Sequence, residues 1–372
     1  MQKGGKRAML SFFSQMRLEE TTNDSVKLIQ NLIQGFENLS RLREEDIEIG
    51  VTPKEAVYQE EKLVLYHFKP MVEQPLHIPI LIVYALVNRP FMVDLQEDRS
   101  LVVNLLKLGL DVYLIDWGYP TRADRWLTLD DYINDYLNNC VDVVRKKHGL
   151  EKINLLGICQ GGTFSLCYTA LYPEKIKNLI VMVAPVDFHV PGVLLNLWGG
   201  SGLGAAAFNV DLMVDTLGNI PGDFLNIEFL MLKPQQLGIQ KYLDFPEIAT
   251  NKDKLLNFLR MEKWIFDSPD QAGEAYRQFI KDFYQGNKLI QGEVKIEDKR
   301  VDLKNLQMPI LNLYAEKDHL VPPESSLALE KYVGTEDYTV HSFPVGHIGM
   351  YVSSKVQRNL PPIIANWLRA RA

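Results

Sequence analysis

One octapeptide carries the first chemical signal. Leu155–Gly162 reads LLGICQGG, which sets Cys159 between Gly157 and Gly161 in the spacing G-x-C-x-G. That is the spacing of a nucleophile elbow, whose central residue is normally serine. A cysteine beside a histidine base is nucleophilic at neutral pH as its thiolate. Attack of a thiolate on a thioester exchanges one thioester for another, so the acyl group keeps its transfer potential. A serine would form a more stable ester and discard it. Cysteine in this slot therefore suits acyl transfer from a coenzyme A thioester better than fat hydrolysis. The other two cysteines, Cys140 and Cys167, fall inside helical patterns and read as buried and inert.

The elbow needs a base and an acid. On the α/β-hydrolase fold the chain order is nucleophile, acid, histidine. Asp318, in ILNLYAEKDHLVPP, follows a buried strand pattern, and His347, in YTVHSFPVGHIGMY, follows the last one. Both positions fall on loops at the carboxyl ends of strands. Glu316, Asp298 and Asp302 are alternatives for the acid, with Asp318 better placed. His319 is the rival for the base and is otherwise a neighbour in the site. His67, His77 and His148 precede the elbow and suit surface or packing roles; His189 opens an insertion, and His341 lies within a strand pattern. The oxyanion hole calls for the Gln160 backbone N–H and a second N–H from the loop ALVNRP, where Val87 is the candidate. That loop lacks the HGGG glycines of many lipases.

The elements that must position these residues are legible as alternation. Residues 78–85, 111–116, 153–158 and 178–184 are apolar runs of the kind that form buried parallel strands. Helical patterns lie between them at 98–108, 129–148 and 162–172. Residues 63–68 alternate and read as an outer strand. After Pro185 the alternation stops. It resumes with strands at 310–315 and 338–343 and helices at 324–332 and 356–370. Strand alternating with helix predicts an α/β-hydrolase fold, with a mostly parallel sheet and an inserted cap or lid. The expected division is a catalytic core over 51–185 and 306–372, a cap over 186–305, and an N-terminal extension over 1–50. The extension carries an amphipathic helix at 24–44, and residues 1–22 are polar and mixed. The cap includes the glycine-rich run WGGSGLGAAA.

Composition narrows the class. The chain has 372 residues, 47% hydrophobic and 23% charged, with a net charge of −7. That balance gives nucleic acid no basic footprint. Three sparse cysteines without C-x-x-C or Cys/His spacing argue against a disulfide framework and a structural zinc, and fit a reducing compartment. The run Ala8–Phe13 is too short for a signal-peptide core, and no stretch reaches membrane-span length. A cytoplasmic location is expected, with peripheral attachment to something apolar allowed.

Several longer segments carry a resemblance. GICQGG, VYALVNRPFMVDLQEDRS, DVYLIDWGYP, LTLDDYI, VDTLGNIPG, FLRMEKWIFDSPDQAGEAYRQFIKDFYQ and DHLVPP together resemble the catalytic subunit of class III polyhydroxyalkanoate synthases, with class IV as near relatives. The likeness runs from about residue 52 to the C-terminus. It implies polymerisation of (R)-3-hydroxyacyl-CoA, chiefly 3-hydroxybutyryl-CoA, into polyester with release of CoA. It maps the lipase-like-box cysteine onto Cys159, the aspartate onto Asp318 and the histidine onto His347. In the family the histidine deprotonates the cysteine, and the aspartate is thought to help activate the 3-hydroxyl rather than only to orient the histidine. The resemblance also implies a second, different subunit (the E subunit), a homodimer, and attachment to polyester granules. The CoA thioester is the substrate, so no cofactor and no metal is expected. Two other readings share these residues: a thioesterase or dienelactone-type hydrolase that passes the acyl group to water, and a granule-coating protein with a decayed site.

Overall fold

The computed structural model describes residues 18–191, 195–196 and 208–372. Residues 1–17 of the expected extension and the glycine run at 198–207 lie outside them. By internal contacts the chain divides into two units, one of residues up to Glu48 with Lys233–Lys263, the other of Ile49–Leu232 with Trp264–Ala372.

The larger unit is built on an eight-stranded sheet. Its strands are β1 (Lys54–Glu60), β2 (Leu63–Phe68), β3 (Ile80–Val83), β4 (Val112–Asp116), β5 (Ile153–Ile158), β6 (Ile176–Met182), β7 (Ile310–Ala315) and β8 (Tyr338–Phe343). They are ordered β1-β2-β4-β3-β5-β6-β7-β8. β3 through β8 pair in parallel, whereas β2 is antiparallel to both β1 and β4. Every residue of β3, β4 and β5 is buried, as continuous apolar strands covered on both faces must be. The strand at 63–68, expected at the edge, is second from it. The edge is β1, whose mixed sequence KEAVYQE has no fully buried residue and so carries no clear periodic signal.

Helices α1 (Leu18–Ser40), α2 (Leu101–Lys107), α3 (Asn138–His148) and α4 (Gln160–Leu171) follow the expected order. A π-wound stretch, Asp131–Leu137, leads into α3. In α4 every residue from Gln160 to Ala170 is buried. A helix buried on every side belongs inside a molecule, and the hydroxyls of Thr163 and Ser165 donate there to the carbonyls of Pro185 and Gly161. Between β6 and β7 lie α5 (Val210–Leu217), α6 (Gly222–Met231), α7 (Lys252–Phe266) and α8 (Gly273–Phe279). Val210, Val214, Ile220, Leu225, Tyr276 and Ile280 form a small core of their own there. α9 (Pro323–Leu327), α10 (Gly349–Val352) and α11 (Ser354–Arg369) complete the unit.

In the smaller unit, α1 spans 18–40 instead of 24–44. It packs through Gly35, where a Cβ would sit 2.8 Å from the Ala249 Cβ, and Asn38 donates to the Ala249 carbonyl at 2.8 Å. Its apolar residues Val26, Leu28, Ile29, Leu32, Ile33, Phe36 and Leu39 are exposed. Among the described residues no helix is long and apolar enough to cross a membrane.

Candidate active site

Cys159 stands between β5 and α4 with φ 55° and ψ −127°. A non-glycine residue at positive φ is strained, and strain of this kind marks the nucleophile elbow. The surrounding backbone over-determines it. The Cys159 N–H donates to Met182 O at 2.9 Å, and its carbonyl accepts from the Gly162 N–H at 2.8 Å. Gly161 is required by proximity, since a Cβ there would lie 2.3 and 2.5 Å from the carbonyl oxygens of Val83 and Tyr84. Gly162 is pressed on the Ala184 Cβ, at 2.4 Å from where its own would be. The turn thus brings the elbow hard against the ends of β3 and β6. Cys159 is partly exposed, whereas Cys140 and Cys167 are buried. Burial pushes the Cys167 thiol up to about 12 and the Cys140 thiol well up also, so both are inert at neutral pH.

β7 and β8 deliver the acid and the histidine. Their exit loops are zipped together by backbone bonds from Glu316 N to Phe343 O (2.9 Å) and from Lys317 N to Val345 O (3.0 Å). His347 Nδ1 and Asp318 Oδ2 lie 2.7 Å apart, buried. Asp318 Oδ1 accepts from the N–H groups of Leu320 and Val321, each at 2.9 Å. Both carboxylate oxygens are therefore engaged, and the Asp318 side chain has 0% exposure. Nδ1 faces the carboxylate, which leaves Nε2 as the other ring nitrogen, and the Cys159 sulfur is near enough to contribute to the rise of the His347 group. Burial disfavours the His347 cation, but the Asp318 carboxylate and the Cys159 sulfur outweigh it and lift the group to about 10.

The structure leaves the other acid candidates elsewhere. Glu316 is exposed and accepts from Ser342 Oγ at 2.8 Å, Asp298 is exposed, and Asp302 accepts from the Lys304 N–H at 3.0 Å. His67 and His148 share the buried carboxylate of Asp111 at the opposite end of β4. His189 Nε2 meets the Tyr284 carbonyl at 2.9 Å, and His341 is exposed on β8. His319 is half-buried beside Asp318. Gln160 and the 84–90 loop do meet: Leu86 N donates to Gln160 Oε1 at 3.0 Å. Among the described residues, neither the Gln160 nor the Val87 N–H donates a hydrogen bond.

Sequence reasoning missed the tyrosines. Tyr351 is fully buried with its hydroxyl 3.3 Å from His347 Nε2. Its ring lies edge-on to those of His347 and Tyr84, at 5.9 and 6.2 Å. Burial pushes both phenols far up, with the Cys159 sulfur contributing, so both stay protonated. Tyr284 feels the same sulfur. The spacing held a signal for one of them, since Tyr351 lies four residues after His347, one helical turn away.

Residues 78–354 match the family described as α/β hydrolase fold, and residues 23–105 match the N-terminus of poly-beta-hydroxybutyrate polymerase (PhaC). The poly(3-hydroxyalkanoate) polymerase subunit PhaC of Synechocystis sp. is 69% identical over 366 residues, 98% of this chain and 97% of that protein. The protein of the same name from Allochromatium vinosum is 54% identical over 358 residues, 96% of this chain and 99% of that one. Among solved structures, a monoacylglycerol lipase from Paleococcus ferrophilus aligns with 84% of this chain and 100% of its own, at TM-score 0.53 and 15% identity, a likeness of fold alone. With a family match over most of its length and full-length relatives at this identity, the chain belongs to the poly(3-hydroxyalkanoate) polymerases, acyltransferases on the α/β-hydrolase fold, as its class III motifs imply.

Proposed function

We propose that the chain polymerises (R)-3-hydroxyacyl-CoA, chiefly 3-hydroxybutyryl-CoA, through a covalent thioester on Cys159. The observation that carries this reading is the placing of Cys159 at the elbow and of the His347–Asp318 pair on the neighbouring strand ends, in a chain that aligns with nearly all of its PhaC relatives. His347 Nε2 takes the thiol proton, and the thiolate attacks the acyl carbonyl. The Cys159 S–C bond forms, the bond to CoA breaks, and the proton passes to the departing CoA sulfur. The 3-hydroxyl of a further hydroxyacyl-CoA then attacks the Cys159 acyl thioester; the C–O bond forms, the C–S bond to Cys159 breaks, and His347 takes the hydroxyl proton and hands it to the Cys159 sulfur, leaving a CoA thioester one unit longer that reloads the cysteine. The tetrahedral oxyanions of these steps rest on the N–H groups of Gln160 and Val87, an arrangement worth roughly 10²–10³ in rate per donor. Asp318 acts through His347 in this scheme. Its side chain is sealed and both oxygens are occupied, which favours orienting the imidazole over touching the substrate hydroxyl.

The thioester supplies the driving force, so the reaction calls for no cofactor. The relatives are named as subunits, which supports a requirement for the E subunit. The homodimer, the cytoplasmic location and the granule surface follow from the resemblance. The exposed apolar residues of α1 are compatible with an apolar surface or partner.

The test is incubation with (R)-3-hydroxybutyryl-CoA, with and without the partner subunit, following CoA release and chloroform-soluble polymer together. Wild type should yield both, and Cys159→Ala neither. CoA release with monomeric acid and no polymer, partner present, would make the chain a thioesterase instead. Granules forming unchanged with Cys159→Ala would make it a coat protein.

A further inference from the structure

The loop after β3 is held from two directions. On the core side, Leu86 N donates to Gln160 Oε1 at 3.0 Å. The guanidinium of Arg89 pairs with the buried Asp116 carboxylate and stacks on the Tyr119 ring at 4.2 Å. On the other side, the inserted helical segment reaches in. Asn88, at φ 59°, donates from Nδ2 to Ser268 Oγ and to Asn226 Oδ1 at 3.3 Å. Ser268 Oγ lies 3.0 Å from Asn226 Oδ1, and Asn226 Nδ2 donates to the Ile265 carbonyl at 2.6 Å. Trp264 Nε1 donates to the Arg89 carbonyl at 2.8 Å. Asn226 is on α6, and Trp264 and Ile265 are in the last turn of α7. A third set of contacts locks α6 to this turn: a Cβ on Gly222 would lie 2.2 Å from the Ser268 carbonyl, Gly222 N donates to Asp270, and Ile220 and Gln271 exchange backbone bonds.

Val87 sits between these two anchors. The peptide plane that carries its N–H is shared with Leu86, which the elbow's own Gln160 holds. The next residue, Asn88, is kept in a left-handed conformation that asparagine tolerates only at some cost. Bonds to Asn226 and Ser268 offset that cost. We propose that Asn88, Asn226 and Ser268 form a clasp through which the inserted segment sets the direction of the Val87 N–H toward the oxyanion. The three are positioning residues; none touches the reacting atoms. The inference rests on the Cys159 and Val87 roles proposed above. It adds that the acyl-transfer rate is tuned by residues of α6 and of the turn after α7.

The test separates the two halves of the site in the full chain with its partner subunit. Alkylation of Cys159 by iodoacetamide needs the thiolate and access to it, but forms no oxyanion. Acylation by (R)-3-hydroxybutyryl-CoA, followed as the single-turnover release of CoA, needs both. Asn226→Ala, Ser268→Ala and Asn88→Gly should each slow acylation roughly 10–100-fold, less than outright loss of a donor. Their alkylation should stay within about twofold of wild type, and Ser268→Thr should restore most of the rate. Because the residues form one network, Asn226→Ala with Asn88→Gly should cost little more than either alone. Val87→Pro, which deletes the N–H, sets the scale of a full loss. Acylation unchanged in all three single variants overturns the clasp, as does alkylation falling in parallel with acylation, which would mean a general loss of access or folding. Acylation surviving Cys159→Ala would instead remove the nucleophile reading, and the clasp with it.

Discussion

Replacing Asp318 by asparagine tests how the acid works. Asp318 Oδ1 accepts two backbone N–H groups at 2.9 Å, and Oδ2 meets His347 Nδ1 at 2.7 Å. An asparagine must present NH₂ to one side. Turning it toward Leu320 and Val321 would set donors against donors and break two buried hydrogen bonds, about 1–3 kcal/mol each. Turning it toward His347 breaks one. The amide therefore faces Nδ1, which becomes an acceptor, and the proton moves to Nε2. An Nε2–H cannot take the Cys159 proton. The charge is lost as well: burial disfavours the His347 cation, and the Asp318 carboxylate is the leading influence that raises the group despite it. The same tautomer error costs about 10⁴ in a serine protease, and a thiol, being easier to ionise, should lose somewhat less, roughly 10²–10⁴. The assay is single-turnover CoA release, alongside elongation measured from preformed acyl-enzyme. Both should fall. Acylation within about threefold of wild type, with elongation collapsed, would refute the argument and put the carboxylate on the 3-hydroxyl. A stability readout accompanies it. His347 has a folded pKa above its unfolded one, so its contribution is complete below about 6.5 and is lost as pH rises through about 10. The destabilisation by Asp318→Asn, measured by urea unfolding, should thus shrink between pH 7 and pH 10.5.

Three further outcomes are expected. Cys159→Ser should lose most CoA release, because a hydroxyl needs stronger activation than a thiol; near wild-type polymerisation would sink the thioester argument. Gly161→Ala should lower stability by about 1–3 kcal/mol, since its Cβ would meet two backbone carbonyls that cannot swing aside, and an unchanged urea midpoint would show that the elbow has room. Glu228, on α6, is pushed up to about 7 by burial alone. A carboxyl with a raised folded pKa destabilises progressively as pH climbs from about 4.5 through 7, so Glu228→Gln should raise Tm at pH 8 and leave it unchanged at pH 4.5; equal effects at both would assign the change to packing.

The strands at 153–158 and 310–315 were legible to the residue, because a buried parallel strand is a bounded apolar run, and the strand at 338–343, a half-exposed edge strand, was read to the same bounds. The elbow could be read for a similar reason. Its glycines are demanded by backbone contacts on either side, so the local sequence records the turn. β1 could not be read, because an edge strand half in water needs no apolar period. The fate of α1's apolar stripe was equally hidden, since periodicity shows that a helix has two faces but not which one meets a neighbour. Residue order and strand endings alone singled out Cys159, Asp318 and His347. Only the tertiary structure decided that both Asp318 oxygens are already taken, that Tyr351 stands at Nε2, and that Asn88 is gripped from α6 and the turn after α7. Those facts depend on atoms brought together across 29 residues for His347 and Asp318 and 180 for Asn88 and Ser268, and contact at such separations is set by how the sheet stacks its loops, which no local pattern encodes.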